Sequence, residues 1–278
     1  MEHIINFFKG MIIGISNVIP GVSGGTMAVS MGIYEKLVQT IGNFFHHLKE
    51  NFKKNMIFLL PIVVGAGIGI IAFSKLIKFL LENYAMQTQF AFIGLILGSM
   101  PFIMKKSVSK GFSWKYLIPG ILTFGIGLTL AILEILGITG NTVDHFDITF
   151  INIILLFIYG MISAVSMVVP GISGSFILLL LGVYSAIISA ISSLNVLVLL
   201  PFGIGVVIGI LLASKIIDFL LERFYGYTYF AIIGFVIGSL LAIYPGFSFD
   251  IAGVVSIICL AFGFASSFFI SKYTNKEE

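Results

Sequence analysis

The chain has 278 residues, of which 59% are hydrophobic and 10% are charged, and its formal net charge is +3. Its mean hydropathy is +1.14. A soluble domain of this composition would expose large apolar patches to water, so the composition excludes one and predicts an all-α, polytopic membrane protein. The small net charge gives no reason to expect nucleic acid as a partner, and the single cysteine excludes an intrachain disulfide.

Five apolar segments in the first half of the chain have the hydropathy and length of helices. They cover residues 4–18, 24–44, 57–81, 88–104 and 116–138. The first segment is shorter than the roughly 20 residues that a membrane span requires, and a Pro-Gly break separates it from the second. We therefore predict that the first two segments form a re-entrant helical hairpin, which three transmembrane helices follow. The N-terminus lacks the pattern of a removable signal peptide.

The second half of the chain repeats the first. The sequence Pro20-Gly21-Val22-Ser23-Gly24 returns as Pro170-Gly171-Ile172-Ser173-Gly174. Internal repeats of this kind are typical of secondary transporters. Each half has an odd number of crossings, whether three or five segments span, so the two repeats are predicted to be inverted. They cover residues 1–139 and 140–278 and together form one transmembrane transport domain.

Basic side chains mark two loops of the first half. These are Lys49, Lys53 and Lys54 in one loop and Lys105, Lys106, Lys110 and Lys115 in the other. Cytoplasmic loops are enriched in lysine and arginine, so both loops and both termini are predicted to be cytoplasmic. Trp114, Tyr34 and Tyr184 are expected at the membrane–water interface, where aromatic side chains fix the depth of a helix.

The repeated Pro-Gly motif is the main candidate site. Proline removes a backbone donor and glycine permits turns that a side chain forbids, so a helix breaks there. In hydrocarbon such a break is tolerated only where it is buried in protein or lines a polar cavity. Helices that begin at Gly24 and Gly174, with Ser23 as an N-cap, would point free amides and positive dipole ends into the membrane.

This pattern predicts a site for a phosphate, a carboxylate or a similar anion, and the alternative is a pair of kinks that only help helices to pack. The candidate anion-binding residues are Asn17, Pro20, Gly21, Ser23, Gly24, Gly25, Thr26, Pro170, Gly171, Ser173, Gly174 and Ser175. The motif lacks the Gly-Lys-Ser/Thr ending of a nucleotide-binding loop, so an ATPase is not supported.

Charged residues in or near apolar segments are candidate partners for the anion. Lys75 and Glu82 recur as Lys215 and Glu222 at the same positions of the repeat. Polar residues at membrane depth are often functional, which would make these residues partners of the anion. Long side chains near helix ends also extend to the interface at little cost. The sequence supports the two interpretations equally. The remaining candidates are Glu35, Lys36 and Arg223.

Glu134 is a lone carboxylate late in a glycine-rich segment. Such an acid can bind a proton or sodium as a coupling ion; solvation near the outer interface is the alternative.

The four histidines lie in loops or at the terminus without metal-ligand spacing, and no Ser-His-Asp pattern is present. We therefore predict no metal, no cofactor and no catalytic centre.

The motif Asn17-x-x-Pro20-Gly21-x-Ser23-Gly24-Gly25-Thr26, its second copy and the two Lys-x-x-x-Phe-Leu-Leu-Glu helices carry a family resemblance. Over essentially the whole chain, they resemble the polyprenyl-phosphate translocases of the PopT type, formerly called domain of unknown function 368. The resemblance implies movement of undecaprenyl phosphate across the bacterial cytoplasmic membrane, from the outer to the inner leaflet. This lipid carrier is recycled for the synthesis of peptidoglycan and other envelope polymers.

The implied partners are undecaprenyl phosphate and membrane lipids, and a homo-oligomer is compatible with the sequence. We expect the phosphate to bind the paired motifs, Lys75 or Lys215 to offset its charge, and the two halves to rock. A transporter or channel for a small soluble anion is the alternative, and it would need a continuous aqueous path. A lipid phosphatase is disfavoured because nucleophile and metal ligands are missing.

Overall fold

The computed structural model describes residues 2–17, 19, 22–44, 48–140, 143 and 146–274. The predicted site residues Pro20 and Gly21 lie outside this part of the chain. The first half contains α1 (Glu2–Ser16), α2 (Gly24–Ser30), α3 (Tyr34–Gly42), α4 (Leu48–Asn83), α5 (Ala85–Ser107) and α6 (Leu117–Ile135). The second half contains α7 (Phe150–Val168), α8 (Gly174–Leu180), α9 (Tyr184–Ser192), α10 (Val196–Arg223), α11 (Tyr225–Ile243) and α12 (Ile251–Thr274).

The all-α, polytopic prediction is confirmed. Within the described residues, 7 helices are long and apolar enough to cross a membrane: α4, α5, α6, α7, α10, α11 and α12. Six of them are the three spans predicted for each half, and the seventh, α7, is the first arm of the predicted second hairpin. The pair α8 and α9 is bent by 117°. The re-entrant path of the hairpins and the inverted relation of the halves stay predictions.

The prediction of one continuous helical segment at residues 24–44 is wrong, because Gly32 ends α2 after two turns. Its φ of +70° is a left-handed conformation that favours glycine. The amides of Gly32 and Ile33 donate to the carbonyls of Val29 and Ala28, which is the Schellman pattern of a helix end. Gly182, with φ +73°, ends α8 in the same way, so the two halves share this break.

Four tight helix pairs build the molecule. The pairs α1–α4 and α7–α10 lie within the halves, whereas α5–α12 and α6–α11 join one half to the other. Glycines bring the backbones together: a Cβ on Gly10 would lie 2.2 Å from the Ile62 carbonyl oxygen, and one on Gly94 would lie 2.1 Å from that of Leu260. Small residues permit close approach of helices in lipid, where packing replaces the hydrophobic effect as the driving force.

The larger hydrophobic core surrounds the first hairpin. Met27, Val38 and Ile96 are among its fully buried side chains, and Val236 of α11 joins them from the second half. A smaller cluster holds the second hairpin, formed by Leu156, Ile187, Ala190 and Val198. The first hairpin is therefore inserted among helices of both halves, while the second packs on α7 and α10 of its own half.

Candidate substrate-binding cavity

The start of α2, which follows the first Pro-Gly motif in the sequence, lies against the second Pro-Gly break in the interior. The Gly171 amide donates to the Thr26 hydroxyl at 2.8 Å, and the Tyr34 hydroxyl donates to the Val168 carbonyl at 3.0 Å. Gly171 has φ +86°, which favours glycine at this turn. Gly25 sits so close to the second break that a Cβ there would lie 3.1 Å from the Met167 carbonyl oxygen. Motifs that are 150 positions apart in the sequence therefore form one structural unit.

The prediction that Ser23 caps α2 is wrong for its side chain. Ser23 occupies the N-cap position with extended backbone but makes no side-chain cap bond. Asn17 takes that role, because its Oδ1 accepts from the Gly24 amide at 3.2 Å. Its Nδ2 donates to the Ile13 carbonyl at 3.0 Å, which orients the side chain. The Ser23 hydroxyl is consequently buried without a hydrogen-bond partner among the described residues.

A cavity of about 510 Å³ lies beside the two breaks. Its polar lining comes from both halves and comprises Asn17, Ser23, Glu134, Ser163, Ser173, Gly174 and Ser175. The hydroxyls of Ser173 and Ser175 lie 2.9 Å apart, and the Ser163 hydroxyl donates to the Gly174 carbonyl at 3.3 Å. A concentration of neutral hydroxyl and amide groups in an apolar surrounding is suited to an anion that enters without most of its water.

Much of the lining of the same cavity is apolar. Side chains of α8, α9 and α10 contribute Leu178, Leu179, Ile187, Ile188, Ile191, Phe202 and Val206. Hydrogen-bonding groups and hydrocarbon therefore line the same cavity, which makes it amphipathic. A ligand that matched both parts would carry a polar head and an aliphatic chain.

The structure divides the sequence-predicted residues into three groups. Asn17, Ser23, Ser173, Gly174, Ser175 and Glu134 line the cavity. Gly25, Thr26, Pro170 and Gly171 lie where α2 and the second motif contact each other, and Gly24 packs against Asn17 of its own half. Gly171 also lines a smaller neighbouring pocket with Glu134. Glu35, Lys36, Lys75, Glu82, Lys215, Glu222 and Arg223 line neither of these two pockets.

Several of these charged residues have other partners. Lys36 pairs with Glu2 at 2.8 Å, Glu35 pairs with Lys106 at 3.0 Å, and Lys78, a neighbour of Lys75, pairs with Glu82 at 3.7 Å. Among the described residues that line the cavity, Glu134 is the one charged side chain. An anion in this cavity would therefore be held by neutral donors and would face a carboxyl group.

Sequence reasoning missed Ser163 and the apolar lining, and it misplaced Tyr34. Tyr34 is 5% exposed and fastens α3 to the second break, so it is not an interfacial aromatic. Tyr184 lines the cavity, and its interfacial depth stays a prediction. Ser163 lies three residues after Gly160 on α7, and both are buried. Small residues at this spacing mark a helix face that packs on protein, and that pattern could have found Ser163.

We expect Thr26→Val to destabilise the contact between the two breaks. The isosteric change removes the acceptor of the Gly171 amide and leaves a part-buried donor unpaired, which typically costs about 1–3 kcal/mol. The measurement is the thermal unfolding midpoint of the purified protein in detergent. Thr129→Val is the matched control, because its hydroxyl bonds only within its own helix on an exposed face. Equal midpoints for the two variants would show that the Thr26 bond has no structural role.

A polytopic helical protein whose paired helix breaks frame an internal polar cavity has the architecture of a secondary transporter. A family model described as undecaprenyl phosphate translocase-like matches residues 13–273. The chain therefore belongs to the undecaprenyl phosphate translocase-like family. This confirms the resemblance found from the motifs, and it agrees with the prediction of a transporter rather than an enzyme.

Two curated relatives cover most of the chain. The polyprenyl-phosphate transporter of Staphylococcus aureus is 35% identical over 286 residues, which is 99% of this chain and 98% of that protein. The polyprenyl-phosphate transporter of Vibrio cholerae is 34% identical over 256 residues, which is 88% of this chain and 79% of that protein. No solved structure matches the chain.

Proposed function

We propose that this protein translocates a polyprenyl monophosphate, such as undecaprenyl phosphate, across the bacterial cytoplasmic membrane. The observation that carries the proposal is the amphipathic cavity, whose lining combines serine hydroxyls with isoleucine, leucine, phenylalanine and valine side chains. A small soluble anion would use the polar groups alone. The first isoprene units of a lipid phosphate would also cover the apolar side chains, while the rest of the chain stays in the bilayer.

The headgroup would be held by hydrogen bonds rather than by a cationic side chain. Ser23 contributes a buried hydroxyl with no described protein partner, and Ser173 and Ser175 contribute two more within reach of each other. Hydrogen bonds to an ionised group contribute about 1.5–3 kcal/mol each. Lys75 and Lys215 are not needed in this arrangement, so we no longer assign them to the headgroup.

Glu134 would couple transport to a cation. An ionised carboxylate opposes a phosphate: at about 4 Å and an effective dielectric constant near 20, two unit charges interact by roughly 4 kcal/mol. A proton or a sodium ion on Glu134 removes this repulsion, so the cation and the lipid phosphate would enter the cavity together. Release of both on the other side of the membrane would return the empty protein to its starting state.

The proposed direction of recycling is from the outer to the inner leaflet, with both termini in the cytoplasm. The basic residues at the end of α5 and before α6 support this orientation, because lysines are enriched in cytoplasmic loops. Lys105 and Lys106 lie in the last turn of α5, and Lys115 precedes α6. The lipid would enter sideways from the membrane, since its chain cannot pass through an aqueous pore.

The test is equilibrium binding of undecaprenyl phosphate to the purified protein, with inorganic phosphate and undecaprenol as competitors. We expect neither competitor alone to displace the lipid, because each covers one part of the cavity. The double change Ser23→Ala and Ser173→Ala should weaken binding by roughly tenfold or more, as two hydrogen bonds to the charged headgroup are lost.

Ser74→Ala is the control for this experiment, because Ser74 lies outside the cavity and bonds within α4. Unchanged binding in the Ser23/Ser173 variant would contradict the proposal that the phosphate binds at the paired motifs. Full displacement by inorganic phosphate, without any contribution from the lipid chain, would instead favour a transporter of a small soluble anion.

A further inference from the structure

The two hairpins reach opposite ends of the same span. The end of α3 contacts α10 at Ser214 and Lys215, whereas α9 packs beside Val198 near the start of α10. The contact at the end of α3 extends to Asp218 of α10, which lies twenty residues after Val198. Twenty residues of helix are about 30 Å long, which is the thickness of the hydrocarbon core. The helices α3 and α9 therefore lie toward opposite faces of the membrane.

The packing of these two helices is not equivalent. The helix α3 leaves its own half and packs along α10, but α9 makes no comparable contact with α4, the counterpart of α10, within the described residues. The cavity extends along α9 past Ile187, Ile188 and Ile191. The helix α3 consequently packs against the other half, whereas α9 lies beside the cavity.

The end of α3 closes directly on the backbone of α10. A Cβ on Gly42 would lie 2.8 Å from the Lys215 nitrogen and 2.9 Å from its Cα, so only glycine permits this approach. The next residue, Asn43, donates from Nδ2 to Asp218 Oδ2 at 2.5 Å. Asp218 is 5% exposed, and a buried carboxylate depends on such a donor.

The start of α3 is fastened by a second polar contact. Glu35 accepts a hydrogen bond from the Tyr229 hydroxyl at 2.9 Å and forms an ion pair with Lys106 at 3.0 Å. Tyr229 belongs to α11 and Lys106 to α5, so Glu35 joins α3 to both halves. The side chains of Glu35 and Lys106 are only 25% and 28% exposed, so water weakens the pair less than it would on an open surface.

The second half has no counterparts of these contacts. By the repeat, Ser185 replaces Glu35, Gln89 replaces Tyr229 and Gly246 replaces Lys106. Likewise, Ser193 and Lys78 replace Asn43 and Asp218, and both are exposed. The helix α9 thus offers only weakly polar or apolar groups for closure against the first half.

We propose that α3 is a polar gate, fastened by Asn43–Asp218 and Glu35–Tyr229–Lys106, and that α9 is the unfastened gate of the opposite face. This inference rests on the proposed function, because gates imply a transport cycle. Because α3 is fastened and α9 is not, the empty protein stays open on the α9 side. This is the outer side in the predicted topology. The protein alternates between a state open beside α9 and a state open beside α3. The balance between these states is set by four positioning residues, namely Asn43, Asp218, Glu35 and Tyr229.

Disulfide trapping tests the proposal without any lipid substrate. In a Cys259→Ser background, the pair Lys78→Cys and Ser193→Cys reports closure of α9 on α4, and an oxidant should cross-link it slowly. Adding Asn43→Ala and Glu35→Gln releases α3 and should raise the cross-linking rate about tenfold. Each lost contact shifts the population toward the state in which α9 is closed on α4. Neither change removes a fully buried side chain, but Asp218 loses its Asn43 donor, so the thermal unfolding midpoint of the variant in detergent is measured beside the cross-linking rate.

Two controls decide the outcome. Lys36→Gln breaks the ion pair of α3 with Glu2, which lies within its own half, and should leave the cross-linking rate unchanged. Labelling of Ile191→Cys by an impermeant maleimide on spheroplasts should fall when α3 is released, because Ile191 lines the cavity. Equal cross-linking with and without Asn43 and Glu35, or the same increase in the Lys36 variant, would overturn the gate. The cross-linking assay needs no lipid substrate, so its failure is distinct from failure of the proposed function.

Discussion

Glu134→Gln is expected to preserve undecaprenyl phosphate binding and to abolish cation-driven transport. Glutamine has the size of a protonated glutamate and carries no charge, so the repulsion between a carboxylate and the phosphate disappears permanently. The headgroup would still meet the hydroxyls of Ser23 and Ser173, which line the same cavity. Because the cation can no longer bind and leave, the variant should exchange lipid without using a gradient.

The measurement is uptake of undecaprenyl phosphate by proteoliposomes with an imposed pH or sodium gradient, compared with binding in detergent. In the native protein, one of the two gradients should accelerate uptake, and this acceleration should vanish in the variant. Glu82→Gln is the control, since Glu82 is exposed on α4 and pairs with Lys78. Gradient-driven uptake that survives Glu134→Gln would assign coupling to another group.

Gly25→Val is expected to separate the two breaks and to eliminate transport. A Cβ on Gly25 would already lie 3.1 Å from the Met167 carbonyl oxygen and 3.2 Å from that of Val168, and these are backbone atoms that cannot rotate away. The two further methyl groups of valine would force α2 off the second motif. Overpacking of this kind typically costs about 1–3 kcal/mol, and it would also misplace Ser23 relative to Ser173.

The change would be followed by thermal unfolding and by lipid binding in detergent. Gly25→Ala should give a smaller loss, because it adds only the Cβ. Gly67→Val provides the control, since no heavy atom lies within 4 Å of a Cβ at Gly67. If Gly25→Val bound lipid as well as the Gly67 variant does, the close contact of the two motifs would not be required for the site.

Much of the fold follows from local patterns. A Pro-Gly pair followed by Ser-Gly marks a helix break more strongly than a single proline, since Pro61, Pro101 and Pro201 lie inside α4, α5 and α10. The repeated motif could therefore be recognised in the sequence. The end of α2 at Gly32 has a sequence signal too, because the Gly32-Ile33-Tyr34 pattern returns at Gly182. The depth of Glu134 was not available, since a carboxylate near a helix end is buried or solvated according to which helices pack around it.

The different roles of equivalent residues in the two copies of the motif could not be predicted either. Gly25 and Ser175 occupy equivalent positions of the repeat, yet Gly25 packs against backbone and Ser175 faces the cavity. The difference arises because the first hairpin is inserted among helices of both halves, while the second is not. Capping of α2 by Asn17 rather than Ser23 could not be predicted either, because Asn17 lies seven residues before the Gly24 amide from which its Oδ1 accepts, and not at the N-cap position.

The cross-half pairs α5–α12 and α6–α11 bear on how such a protein could have arisen. In each pair, the fifth helix of one repeat lies against the sixth helix of the other, with glycine backbones in contact. A single-repeat ancestor would therefore have been an intertwined homodimer, in which neither copy could bury its own fifth and sixth helices. Fusion of two copies into one chain would have freed them to diverge, and an acid such as Glu134 could then be kept in one copy only.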